Sequence, residues 1–145
     1  MTESPAEYKF EEIAIGMKKK FSETVYEARL DGFAKISGDY NPLHMNKEYA
    51  SKTKFKKRVC HGMLLASFFS KLVGMYLPGK NALYFSQTLN FQAPCYVGDS
   101  ITVEGEVVDK SDSTRIITIR TGIYDQSGIC LVDGIAKAIV REGFE

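Results

Sequence analysis

Neither a G-x-G-x-x-G string nor a phosphate-loop signature occurs in this chain, so a nucleotide cofactor has no visible seat. Cysteine is scarce: Cys60, Cys95 and Cys130 are odd in number, far apart and without a C-x-x-C pair. That pattern excludes a disulfide framework and a Cys/His zinc cluster. It predicts reduced, small core residues of a cytoplasmic protein and no bound metal. Neither sign of charge is in excess, since 19 Lys and Arg face 18 Asp and Glu for a net charge of +1. A nucleic acid or an anionic membrane is therefore not the expected partner. No apolar run follows Met1-Thr2-Glu3-Ser4-Pro5, so no secretory leader is expected. The apolar run at residues 63–77 contains Lys71 and is too short to span a bilayer.

What remains is a chain of 145 residues with 44% hydrophobic content, enough for one compact domain over residues 1–145 with a sizeable core. Residues 1–12 are polar and expected to be loosely held. Residues 20–30 begin with alternation and lead into Asp31, a plausible N-cap for a short helix through Ile36 that Ser37-Gly38 would end. Lys47 to Lys54 suits another short helix. Residues 63–77 are apolar nearly all round, with Ser67, Ser70 and Lys71 on one narrow stripe; such a helix is buried, and Pro78-Gly79 stops it.

The C-terminal half changes period. Residues 82–93, 100–109, 114–124 and 129–141 read as strands, separated by turn signals at 97–99, 110–113 and 125–128. Short loops between consecutive strands imply an antiparallel meander. One early strand, four late strands and a single long helix predict an α+β architecture, a curved sheet wrapped round a central helix.

The chemistry concentrates in one window. Residues 38–44 read Gly-Asp-Tyr-Asn-Pro-Leu-His, and His61-Gly62-Met63 stands at the mouth of the apolar helix; the chain's two histidines both lie here. Asp39 and His44 offer a carboxylate and an imidazole within one turn, a suitable pair for moving a proton. Asn41 between them can orient a shared water or fix the turn. Gly62 offers a first-turn N–H at the positive end of a helix, where a carbonyl oxygen that becomes negative is stabilised. The chemistry that fits is addition or removal of water next to an acyl carbonyl. His61 can cap the helix or line the pocket. Lys52, Lys54, Lys56, Lys57 and Arg58 form a basic run that is either a solvated face or a rim for an anionic substrate.

The stretch from Phe33 to Leu65 resembles the MaoC-like (hydratase 2) family, in F-A-K-I-S-G-D-Y-N-P-L-H-M-N (33–46), in Tyr49-Ala50 and Phe55, and in V-C-H-G-M-L (59–64). The resemblance implies the hot-dog fold and an (R)-specific enoyl-CoA hydratase, or the reverse dehydratase. Asp39 and His44 would then hold and activate one water, and the Gly62 N–H would meet the thioester oxygen. It further implies no cofactor, coenzyme A being part of the substrate, and a homodimer with sites near the interface. On that reading Leu65, Ala66, Phe69 and Val73 line an acyl pocket, and Lys56, Lys57 and Arg58 meet the phosphates of coenzyme A. A hot-dog acyl-CoA thioesterase, a non-catalytic acyl-CoA-binding module and a 3-hydroxyacyl-ACP dehydratase remain open alternatives.

Overall fold

The structure, a computed structural model, describes residues 3–143. A six-stranded antiparallel sheet carries the order β1-β4-β5-β6-β2, with the two-residue β3 also paired to β6. Its strands are β1 (Lys18–Thr24), β2 (Ala82–Gln87), β3 (Asn90–Phe91), β4 (Ser100–Ser111), β5 (Ile116–Tyr124) and β6 (Cys130–Val140). The meander β4-β5-β6 follows the strands read from the sequence, because alternating burial there matches the pleat. Four helices precede or interrupt it: α1 (Glu27–Ser37), α2 (Pro42–Met45), α3 (Lys47–Ser51) and α4 (Gly62–Lys71), the last continued by a π-helical turn, Leu72–Tyr76.

α4 supplies Leu64, Leu65, Phe68 and Phe69 to a core that includes Leu30 of α1, Phe21 of β1, Ile101 and Val103 of β4, Ile123 of β5 and Leu131 of β6. An antiparallel sheet curved round one buried helix is the hot-dog fold that the element order implied. Among the described residues no helix is long and apolar enough to cross a membrane.

Two expectations need correction. α1 begins at Glu27, four residues before Asp31, with Tyr26 as its N-cap. Asp31 lies inside the helix because the chain turns as soon as Val25 is buried at the end of β1. Residues 6–12 are also held firmly. The Ala6 N–H donates to the Met75 carbonyl, the Lys80 N–H donates to Ala6, and Phe10 and Ile13 are buried in a second cluster with Val73, Leu77 and Val107. Two apolar residues in a polar stretch suffice to dock it, and only distant partners reveal that.

One ion-pair group ties the layers together. Glu23 of β1 accepts from Lys71 Nζ at 2.7 Å and from Arg29 Nη2 at 2.8 Å, so strand, α4 and α1 share one carboxylate. Burial pushes the Glu23 carboxyl up, but the two cations outweigh it and hold it below the usual value of 4.5. A depressed folded pKa contributes stability that is present above 4.5 and lost as pH falls through the lower folded value. Glu23→Gln is therefore expected to cost about 1–3 kcal/mol near neutrality and to flatten the acid side of the melting temperature profile. Identical pH profiles for parent and variant would contradict this.

Candidate active site

α1 ends because Gly38 adopts φ 81°, a left-handed cap that costs glycine little, with its N–H on the Ala34 carbonyl. The next five residues form a hydrogen-bonded turn. The Asp39 N–H donates to Ser37 Oγ (3.1 Å), and Asp39 Oδ1 accepts from the Asn41 N–H (3.1 Å). Asn41 Oδ1 accepts from the Leu43 N–H (3.0 Å), capping α2 with Pro42 in its first turn. The Asn41 oxygen thus helps to fix the turn, as one of its two expected roles requires.

His44 is pinned from two sides by the segment that precedes α4. Its Nδ1 lies 2.7 Å from the Val59 carbonyl, which can only accept, so Nδ1 carries a proton and, in the neutral ring, Nε2 holds the lone pair. Its own carbonyl accepts from Arg58 Nε. Arg58 is buried, with Nη1 2.8 Å from Glu27 and Nη2 3.4 Å from Asp31. This corrects the expectation of a phosphate contact at Arg58: the guanidinium is a strut joining α1 to the His44 turn. Lys56 and Lys57 do stay exposed, with Lys57 Nζ 4.6 Å from the centre of the Tyr96 ring.

His61 completes the cluster. Its ring stacks on His44 at 4.2 Å and 28°, and its Nε2 lies 3.0 Å from the Asp39 carbonyl. Burial pushes the His61 imidazole below its ordinary value, and the hydrogen bond to Asp39, acting upward, does not offset it. Among the described residues, Asp39, His44 and His61 are the group whose ligand atoms all lie within 4.8 Å of one another. That spacing suits one small species. A water is one species of that size.

These residues open onto a cleft of about 460 Å³. One wall is the first turn of α4, where the Leu64 and Leu65 N–H groups return to the His61 carbonyl. As a first-turn donor, the Gly62 N–H has no partner within the helix. A Cβ on Gly62 would stand 2.7 Å from Cδ1 of Phe91, so only a hydrogen fits beneath that ring. Further lining includes Leu65, Phe91, Ala93, Pro94, Leu131 and Val132.

Of the four residues expected in an acyl pocket, Leu65 alone lines this cleft. Ala66 is half-buried away from the cleft, while Phe69 and Val73 are 1% exposed core residues. Phe91 and Val132, paired between β3 and β6, belong to the wall because of strand register, which α4's periodicity does not report. Cys95 also lies on this wall; a hydrogen bond with the Cys60 thiol and burial push its thiol far up, so it is no nucleophile at neutral pH.

The chain resembles known proteins in sequence and in fold. The family model for the MaoC like domain matches residues 9–126. The chain is 40% identical to the (R)-specific enoyl-CoA hydratase of Aeromonas caviae, across 89% of this chain and 95% of that protein. It is 37% identical to the (R)-specific enoyl-CoA hydratase of Rhodospirillum rubrum, across 90% of each. The solved structure of R-hydratase PhaJ1 from Pseudomonas aeruginosa, unliganded, superposes with a TM-score of 0.89 at 36% identity, covering 93% of this chain and 86% of that one. A turn carrying Asp39 and His44, set against a glycine at the head of a buried helix, is found here in a chain that belongs to the MaoC-like domain family.

Proposed function

We propose that the protein adds water to trans-2-enoyl-CoA to give (R)-3-hydroxyacyl-CoA, and catalyses the reverse dehydration. The observation that carries this reading is the fixed His44 tautomer beside Asp39, with Nε2 left free, at a cleft whose other wall presents the Gly62 N–H. Asp39 and His44 hold one water. As its oxygen attacks C3 of the enoyl group, the pair takes a proton. The bond electrons move through C2 to the thioester oxygen, which the Gly62 N–H stabilises. A proton then returns to C2 from the same pair, so addition occurs on one face. Acid–base assistance of this kind contributes roughly 10²–10⁴. No redox or metal chemistry is called for, because the thioester itself acidifies the α position.

Lys56 and Lys57, exposed in the segment between the cleft-lining Phe55 and Val59, are suited to the phosphates of coenzyme A. The substrate pair is tested by following loss of the conjugated-thioester absorbance with crotonyl-CoA and longer enoyl-CoAs. Release of free thiol from acyl-CoA instead would point to a thioesterase.

The protein is further proposed to act as a homodimer. β2 is a sheet edge with both faces open, and Leu83 and Phe85 on it are 54% and 60% exposed. A long apolar edge of this kind calls for a partner. Sedimentation velocity at micromolar concentration is expected to give a dimer, and a fully active monomer would contradict it.

A further inference from the structure

We infer that His61 is the positioning residue that fixes the distance between the Asp39–His44 pair and the Gly62 N–H. Its catalytic consequence rests on the hydratase reading; its structural content does not. His61 sits at the junction of the two half-sites. Its side chain reaches back across 22 residues to the Asp39 carbonyl at 3.0 Å. Its own carbonyl accepts from the Leu64 and Leu65 N–H groups, and the next residue is Gly62. One residue thus joins the loop that carries the base to the helix turn that carries the oxyanion donor.

The ring is 1% exposed, flanked by Phe33 of α1 at 4.9 Å and His44 of α2 at 4.2 Å. A carbonyl only accepts, so Nε2 must carry the hydrogen and Nδ1 the lone pair. That Nδ1 is buried without a hydrogen-bond partner. A phenyl ring would fill the same slot and stack as well, with no orphaned polar atom. What the imidazole adds is the N–H on the Asp39 carbonyl.

The same environment disfavours a charged His61. A second proton would place a cation in the core facing His44 and Arg58, with Asp39 the one opposing charge and Phe33 apolar. A neutral His61 does not repel a proton arriving on His44, and it does not carry that proton itself.

The test uses the full chain with His61→Phe and His61→Gln, assayed on crotonyl-CoA, together with nitrogen-15 NMR of the imidazoles. The phenyl variant keeps the stack and loses the donor, whereas glutamine returns an N–H at nearly the Nε2 position. His61→Phe is expected to lower kcat by about 10²-fold, the size of a displacement near 1 Å. KM and melting temperature should stay close to the parent's. His61→Gln is expected to recover most of the rate. NMR of the parent at neutral pH should show the Nε2–H tautomer at His61, as its contact with the Asp39 carbonyl requires. Parent-like kcat in His61→Phe, equal losses in both variants, or an Nδ1–H tautomer would each overturn the inference. If the parent hydrates no enoyl thioester, the functional reading falls. The tautomer and the backbone amide shifts of residues 39–44 in the two variants still decide whether His61 holds the loop.

Discussion

Asp39→Asn is expected to lower kcat by at least about a hundredfold while the protein melts as the parent does, because it removes the base and leaves the turn. The asparagine Oδ1 can still accept from the Asn41 N–H, as the Asp39 Oδ1 does at 3.1 Å. His44→Asn is expected to do the same. Its amide N–H can serve the Val59 carbonyl in place of Nδ1, while the distal nitrogen that meets water is gone. Because both residues act on one water, the double variant should be little worse than either single one, since groups acting as a unit are far from additive. Turnover and melting temperature of the three variants, measured together, decide this. Near-parent turnover in either single variant would remove that residue from the mechanism.

Gly62→Ala is expected to reduce kcat by roughly 10²–10³, the effect of losing one oxyanion donor, at little cost to folding. The new methyl would meet the Phe91 ring at 2.7 and 2.8 Å. That ring is 55% exposed and ends a flexible side chain, so it can swing aside rather than strain the helix. Because the ring lines the cleft, moving it can itself alter the rate, which confounds a single substitution. Gly62→Ala combined with Phe91→Ala separates the two causes. If the methyl itself blocks the thioester oxygen, the double variant stays slow. Full recovery of kcat in the double variant would show that the ring was the obstacle, and parent-like kcat in Gly62→Ala would make Gly62 only a packing glycine.

The parts of this fold that were legible in the sequence are those set by local rules. β4, β5 and β6 alternate along one meander, and Gly98 and Gly128 occupy left-handed positions in the turns that the sequence marks. The Asp39–His44 turn is local too, since Gly38, Asn41 and Pro42 dictate it within seven residues. What was hidden depends on distant partners. Lys56, Lys57 and Arg58 look alike in a basic run, yet Arg58 alone is buried, because Glu27 and Asp31 stand one turn apart on α1 to receive it. The periodicity of α4 points to that helix alone for the pocket wall, whereas β3 and β6 close the cleft against the helix's first turn. His61 does line the cleft, one of the two roles its position suggests, whereas its contact with the Asp39 carbonyl depends on a residue 22 positions earlier.

The stereochemistry of hydration tests the central claim most directly, since one water held by Asp39 and His44 against one face of the enoyl group must give one enantiomer. Crotonyl-CoA is incubated with the parent protein and with Asp39→Asn, and the 3-hydroxybutyryl-CoA formed is resolved by chiral analysis. The account predicts the (R) product alone from the parent and almost none from the variant. A racemic or (S) product, or equal yields from both proteins, would contradict it.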